Sequence, residues 1–151
     1  MIDNLAIEFF REFSRAEYCL KAVGLCMPNK REAQPDWGAF SDSVRGLLER
    51  PVETDLIAAI NYFNQSPPKK QIYDGTQLQW DSTAPGGKHV ADNILILVRR
   101  VRNNLFHGGK FNGYWFEPER SESLLTHALT ILRASIAANP QTKEAYAQRA
   151  P

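Results

Sequence analysis

The chain has 151 residues, 43% of them hydrophobic and 23% charged, which is the composition of one globular domain with a substantial core. Its net charge of +1 argues against a protein that coats nucleic acid through bulk charge, so an RNA contact would need a local basic cluster. The sequence contains no apolar run long enough to cross a membrane and no signal peptide, so we expect a cytoplasmic protein without membrane contact.

The first long helix is predicted over residues 3–26, where apolar side chains recur at helical spacing. Asp3 or Asn4 can cap its N-terminus, and its apolar stripe consists of Leu5, Phe9, Phe13, Ala16, Leu20 and Val23. Glu17 lies at an edge of this stripe and has two interpretations. It could form a salt bridge with Lys21 one turn later, or it could be an acid held against the arginines of a later helix.

The cysteines and histidines give no pattern of metal ligands. Cys19 and Cys26, the only cysteines, would lie about 10 Å apart on the first helix, so we expect reduced, buried thiols rather than a disulfide. His89, His107 and His127 have no ligand spacing among themselves or with the cysteines. We therefore expect neither a metal site nor a cofactor.

Two shorter helices and a hairpin are predicted next. One helix starts near residue 35, and the other can be capped by Thr54 and ends at the prolines at 67–68. They are expected to supply the core with Trp37, Phe40, Val44, Leu47, Leu56, Ile57, Ile60 and Phe63. The Asp-Gly pair at 74–75 lies between alternating apolar and polar residues, which predicts a hairpin-like insertion around residues 69–82.

The most unusual stretch is LVRRVRNNLFHGGKF, residues 97–111, which continues a helix that begins around His89. The apolar stripe of this helix consists of Ile94, Leu97, Val98, Val101 and Leu105. Arg99, Asn103 and His107 follow one another four residues apart and therefore share a second face. Such a density of polar groups beside an apolar stripe indicates a site.

Basic residues flank the polar face, and two apolar residues lie within it. Arg100 and Arg102 flank it, whereas Ile96 and Phe106 lie within it. A face that only meets solvent would not need these two apolar residues, so we expect another helix or a second chain to cover it. The glycines at 108–109 can end the helix in a left-handed conformation, which places a histidine in the last turn.

The remainder of the chain is predicted as an aromatic segment, a helix and a tail. The segment at residues 110–116 either anchors a loop onto the core or stacks unpaired RNA bases. The last helix spans residues 119–138 and buries Leu124, Leu125, Ala128, Ile131, Leu132, Ser135 and Ile136. Residues 139–151 form a C-terminal tail that adds one helical turn or frays.

The residues RNNLFH, Arg102 to His107, match the RxxxxH signature of the HEPN superfamily, with asparagine directly after the arginine. The run FFREFSRAEYCLK at residues 9–21 is similar to the opening helix of a bacterial HEPN subfamily. The chain between residues 3 and 138 thus resembles a HEPN domain. The resemblance implies an all-α, HEPN-like up-and-down bundle of about four to five helices, followed by the tail at 139–151.

A HEPN domain with this signature implies a metal-independent endoribonuclease. Its chemistry needs proton transfer for the attack of a 2′-hydroxyl on phosphate, a role that falls to His107. Arg102 would stabilise the phosphate charge, and Asn103 would orient the histidine or donate to the phosphate. Arg99 and Lys110 are candidates for holding flanking phosphates, with solvated surface charge as the alternative. Glu17 is a further candidate for substrate contacts, with the salt bridge to Lys21 as its alternative.

The resemblance also implies a homodimer paired through the motif helix, in which two copies of the motif face a shared cleft. RNA is the implied substrate, and an antitoxin or a nucleotidyltransferase is an implied partner in toxin–antitoxin, phage-defence or stress-response roles. Some HEPN toxins carry a tyrosine, modified by such a partner, two positions after the histidine. Gly109 stands there and argues against that arrangement.

Two alternatives to the ribonuclease stay open. The first is a non-catalytic HEPN module that binds RNA, a nucleotide or a protein partner. In the second, the basic cluster only forms ion pairs with Glu17 and other acids at a dimer interface.

Overall fold

The protein is mostly helical in the computed structural model, which describes residues 2–107, 115 and 117–148. This part of the chain contains seven helices and one two-stranded antiparallel sheet. In chain order the elements are α1 (Ile2–Ala22), α2 (Trp37–Ser43), α3 (Arg45–Glu49), α4 (Thr54–Gln65), β1 (Lys70–Tyr73), β2 (Leu78–Asp81), α5 (Val90–Phe106), α6 (Pro118–Ala138) and α7 (Pro140–Ala147). The expected all-α class is confirmed, whereas the HEPN-like arrangement stays a prediction.

The first helix is shorter than predicted because a glycine turn ends it early. Gly24 has a φ of 88°, a left-handed conformation that favours glycine. Its N–H donates to the Lys21 carbonyl at 3.1 Å, and the Leu25 N–H donates to the Leu20 carbonyl at 2.9 Å, the paired bonds of a Schellman motif. Cys26 therefore lies beyond the helix, contrary to the prediction, and both cysteines are free thiols.

The helix predicted from residue 35 is divided into α2 and α3. Asp36 caps α2, because its Oδ1 accepts the Ala39 N–H at 2.9 Å. At Val44 the backbone leaves helical geometry, with φ −113° and ψ 14°, and α3 starts at the next residue. The N-cap of α4 is Glu53 rather than Thr54, and its side chain makes no capping hydrogen bond.

Strands β1 and β2 form the predicted hairpin. Lys70 pairs with Asp81 at its base, and the Asp74 carboxylate accepts two backbone N–H groups in its turn. Seven of the eight strand residues are exposed. The hairpin is joined to the motif helix where Asn104 donates to the Lys69 carbonyl at 2.7 Å. Because an isolated two-stranded hairpin is marginally stable, this attachment matters for its position.

The core lies between α6 and the helices that surround it. Helix α6 packs against α1, α4, α5 and α7, while α5 also packs against α2 and α3. The largest fully buried side chains are Phe9, Phe40, Phe63, Leu20, Leu48, Ile94, Leu95, Ile131 and Leu132. The predicted stripes of α1, α5 and α6 face this core, with Leu5 and Leu105 partly buried, whereas Ile57 is exposed. In the described part, no helix has the length and apolar character needed to cross a membrane.

The residues after α6 form a further helix, two turns long, instead of a single turn. Asn139 caps it, because its Oδ1 accepts the Thr142 N–H at 3.1 Å and Pro140 occupies the first helical position. The fully buried Thr142 hydroxyl donates to the Ile136 carbonyl at 2.8 Å. Helix α7 packs on α1 and α6, so this part of the predicted tail belongs to the same core.

Candidate active site

Helix α5 carries the motif, and side chains on both sides of its N-terminus fix its first turn. The helix begins beside His89, as predicted; His89 is its N-cap, and its Nδ1 accepts the Asp92 N–H at 3.2 Å. Its Nε2 therefore carries the proton and donates to Asp42 Oδ1 at 2.8 Å. The pKa of Asp42 is lowered, chiefly by the hydrogen bond from Lys88 Nζ and then by that from His89.

The opposite end of α5 presents part of the signature to solvent. The helix ends at Phe106, so His107 is its C-cap residue and not part of the last turn, with φ −95° and ψ 17°. The His107 N–H donates to the Asn103 carbonyl at 2.9 Å, which continues the helical bonding pattern by one residue. Asn103, Phe106 and His107 are all exposed. The imidazole is thus accessible to a bound molecule.

Arg102 is the centre of the contacts at this end of the helix. Its Nη2 lies 3.4 Å from Glu17 Oε1, and its Nη1 donates to Asn103 Oδ1 at 3.0 Å. The guanidinium carbon lies 5.1 Å from the centre of the Phe13 ring and 5.8 Å from that of Phe106. The side chain is 30% exposed. Arg102 is therefore a half-buried cation held by one carboxylate, one amide and two aromatic rings.

Glu17 and Trp37 connect the motif helix with α1 and α2. The Trp37 Nε1–H donates to Glu17 Oε2 at 2.9 Å, while the other carboxylate oxygen faces Arg102. Of the two interpretations of Glu17, the structure supports the contact with the arginines. Trp37 is buried, stacks on Phe13 at 5.5 Å and meets Phe40 edge-on at 5.9 Å. Its sequence position indicated only packing, so the hydrogen bond to Glu17 was missed.

Arg99 lies on the same side of α5 as Arg102. Its guanidinium carbon is 5.7 Å from the centre of the Trp37 ring. Burial lowers the pKa of Arg99, the charges of Asp92 and Glu17 oppose this shift, and the charge of Arg102 adds to it. Arginine nevertheless stays protonated at neutral pH. The two arginines thus place two positive charges beside one carboxylate.

Three polar residues of α5 are buried, which the sequence did not indicate: Asp92, Arg100 and Asn104. Arg100, predicted to border the polar face, is only 8% exposed. Asn104 is also buried and binds the Lys69 carbonyl of the hairpin. The polar residues of α5 therefore lie on several sides of the helix. One side faces α1 and α2, a second side faces solvent, and a third side faces the hairpin.

Ile7, Phe10 and Phe106 form an exposed apolar patch beside the motif. The Phe10 and Phe106 rings lie 5.2 Å apart, and the three side chains are 50%, 46% and 51% exposed in chain order. With Ala6 and Leu105 they line a shallow hollow between α1 and α5. Helix α1 covers Phe106 in part, as expected, and leaves the remaining apolar surface accessible.

Part of the predicted site lies outside the described residues. This holds for Lys110, a candidate for phosphate contact, for the glycines at 108–109 and for most of the aromatic segment at 110–116. Trp115 is described, and its Nε1–H donates to Asp3 Oδ1 of α1 at 2.7 Å. Asp3 lies within the first turn of α1, so it does not precede the helix as a cap.

Comparisons of the chain with protein-family models, with curated proteins and with solved structures give no match. The HEPN resemblance therefore stays a prediction from the motif residues. Among the described residues, no group of three His, Cys, Asp or Glu side chains could hold a metal ion. The site combines a half-buried guanidinium, an amide and an exposed imidazole at one helix end. These groups can bind an anion and exchange a proton.

Proposed function

We propose that this chain is a metal-independent endoribonuclease of HEPN type, built on a HEPN-like up-and-down bundle. The proposal rests on the placement of Arg102, Asn103 and His107 together at the end of α5, where the arginine is held and the histidine is exposed. A held cation and an accessible imidazole at one helix end supply the charge stabilisation and the proton transfer that cleavage of a phosphodiester requires.

In the proposed reaction the 2′-oxygen of the RNA attacks the neighbouring phosphorus, and the bond from phosphorus to the 5′-oxygen breaks. A base takes the 2′ proton and an acid gives a proton to the departing 5′-oxygen, which leaves a 2′,3′-cyclic phosphate and a 5′-hydroxyl. His107 exchanges these protons, because an imidazole ring can both accept and donate a proton. Arg102 stabilises the negative charge that develops on the other phosphate oxygens.

Arg102 can bind phosphate while Glu17 holds it. A guanidinium has N–H donors on all three of its nitrogens, and the contacts with Glu17 and Asn103 engage two of these nitrogens with one partner each. No hydrogen bond from another described residue engages the remaining donors of this partly exposed side chain, and they can bind a phosphate oxygen. Asn103 adds its amide N–H groups, because its carbonyl oxygen already accepts from Arg102.

One histidine per motif is few for a reaction that needs both a base and an acid. We therefore propose that two copies of the chain pair along α5 and share one cleft. The exposed apolar patch beside the motif supports this pairing, because apolar surface next to a polar site is typical of interaction surfaces. We further propose a cytoplasmic role in toxin–antitoxin function, phage defence or stress response, with an antitoxin or a nucleotidyltransferase as candidate partner.

The test is cleavage of a mixed single-stranded RNA in EDTA by the purified parent, Arg102→Ala and His107→Ala. Arg45→Ala is the matched control for loss of an arginine, since Arg45 lies at the surface of α3 in an ion pair with Glu49. His127→Ala is the matched control for loss of a histidine. We expect the parent and both controls to leave 2′,3′-cyclic phosphate ends, and the motif variants to be slower by roughly a hundredfold or more.

Cleavage that survives in both motif variants would refute the proposal. A folded parent that binds RNA or a nucleotide without cleaving it would instead favour the non-catalytic binding module. A 2′,3′-cyclic phosphate formed in EDTA also excludes a contaminating metal-dependent hydrolase as the source of cleavage, because such an enzyme would not form this product without its metal.

A further inference from the structure

Trp37 reaches the candidate active site from α2, and its indole has more contacts there than packing requires. One ring face stacks on Phe13, and the ring edge contacts Phe40. The indole nitrogen donates to Glu17, and the Arg99 guanidinium lies 5.7 Å from the ring centre. A single buried side chain therefore contacts both the acid that holds Arg102 and a second arginine of the motif helix.

The acceptor of the indole N–H is an unusual choice for a core tryptophan. A buried Trp needs a partner for its N–H, and a backbone carbonyl would satisfy it without involving a charge. Here the partner is a carboxylate whose other oxygen faces Arg102 at 3.4 Å. The hydrogen bond thus has a consequence for the arginine, which an ordinary packing contact would not have.

Glu17 has an alternative partner if Trp37 does not hold it. Lys21 lies four residues later on α1, which is the spacing at which a glutamate pairs with a lysine on a helix surface. A glutamate side chain has several rotatable bonds and can turn between the two cations. The directional N–H bond to Oε2 selects the conformation in which Oε1 faces the motif helix.

We propose that Trp37 is a positioning residue that fixes the Arg102 guanidinium through Glu17. The consequence for catalysis rests on the proposed ribonuclease function, whereas the effect on Arg102 itself does not. Trp37 never touches the substrate in this arrangement. It determines where the phosphate-binding cation lies.

The test uses Trp37→Phe, which keeps an aromatic ring in the core and removes the N–H donor. Phe63→Leu is the control, because Phe63 is fully buried and contributes to the same core outside this network. The first measurement is the rotation of the Arg102 guanidinium about its Cζ–Nε bond, followed by nitrogen-15 NMR. In the parent the contacts with Glu17 and Asn103 restrain this rotation. We expect it to be several-fold faster in Trp37→Phe and unchanged in Phe63→Leu.

The second measurement is the pH profile of kcat/KM for RNA cleavage. Trp37→Phe should lower kcat/KM about tenfold, or about 1.4 kcal/mol, with an unchanged profile because His107 is not touched. Phe63→Leu should cleave as the parent does. A parent that does not cleave RNA refutes the proposed function, while faster rotation in Trp37→Phe would still support the positioning of Arg102.

Equal rotation rates in the parent and in Trp37→Phe would overturn the inference. So would equally faster rotation in Phe63→Leu, because general loosening of the core would then explain it. Unchanged kcat/KM in a variant whose Arg102 rotates faster would overturn the part of the inference that concerns catalysis.

Discussion

The Asn104→Ala substitution should detach the hairpin from α5 while leaving the helical core folded. The Asn104 side chain is 7% exposed, and its Nδ2 donates to the Lys69 carbonyl directly before β1. The hairpin side chains are almost entirely exposed, so little apolar burial holds the hairpin against the bundle. Its position should therefore depend strongly on this one hydrogen bond.

The magnitude follows from what the substitution leaves behind. It removes a buried hydrogen bond and deprives a peptide carbonyl of its donor, which costs about 1–3 kcal/mol. Water can replace the donor once the hairpin moves, so we expect a loss in the lower half of this range, about 1.5 kcal/mol. For a domain of this length the midpoint of thermal unfolding should fall by roughly 3–6 °C.

Urea unfolding followed by circular dichroism measures the global loss, and hydrogen exchange with mass spectrometry locates it. Peptides that contain β1 and β2 should exchange about tenfold faster in Asn104→Ala, while those of α6 should follow the global change alone. Asn64→Ala, an exposed asparagine on α4, is the control and should stay within about 0.5 kcal/mol of the parent. Hairpin peptides that exchange at the parent rate in Asn104→Ala would refute the reasoning.

Three further predictions concern charges outside the proposed site. Because the pKa of Asp42 is lowered in the folded state, its carboxylate stabilises the fold at neutral pH, and this stabilisation is lost as the pH falls through the folded pKa, below about pH 4. In urea titrations over that pH range, the free energy of unfolding of Asp42→Asn should therefore change less with pH than that of the parent. Burial lowers the pKa of His127, so the folded state resists protonation and loses stability as the pH falls below about 6.5; His127→Gln should flatten this dependence in urea titrations. Arg120→Met should lower the free energy of unfolding by about 1–2 kcal/mol, because Arg120 donates to the Tyr62 hydroxyl and the Ser66 carbonyl at the end of α4.

Helices were predictable from the sequence wherever a long apolar stripe determined them. The predicted last helix, residues 119–138, differs from α6 by one residue, since its spacing is consistent over several turns. The end of α1 was misplaced because the apolar pattern continues to Val23, although Gly24 already forms the terminating turn. The break at Val44 has no glycine or proline to mark it, so the division into α2 and α3 could not be read from the sequence.

The residues of the candidate site were predictable, but not their surroundings. Arg102 and His107 follow from a motif and its position at a helix end. The partner of Glu17 could not be predicted, because both Lys21 and an arginine of the motif helix were candidates. Only the packing of α1 against α5 decides in favour of Arg102. The role of Trp37 depends on α2 approaching from elsewhere in the chain, which no local pattern encodes. In the sequence, nothing distinguishes Asn104 from the polar residues beside it, because its burial depends on the contact with the hairpin.

The apolar patch beside the motif allows the proposed dimer to be tested by one substitution. Phe10→Asp places a charge among Ile7, Phe10 and Phe106 without disturbing the core, because Phe10 is about half exposed. If a second copy covers this patch, the dimer should dissociate at least about tenfold more readily, the effect of losing one well-buried interface side chain. Sedimentation measures the dissociation, and Val52→Asp, at an 83% exposed apolar residue between α3 and α4, is the control.

Dimerisation and cleavage should then fall together in Phe10→Asp, since a shared cleft requires both copies of the motif. At concentrations high enough to restore the dimer, cleavage should return, because neither Arg102 nor His107 has been altered. A parent that stays monomeric at micromolar concentration and still cleaves RNA would contradict this reasoning. A single His107 would in that case have to act first as base and then as acid within one chain, and the exposed patch would need a different partner.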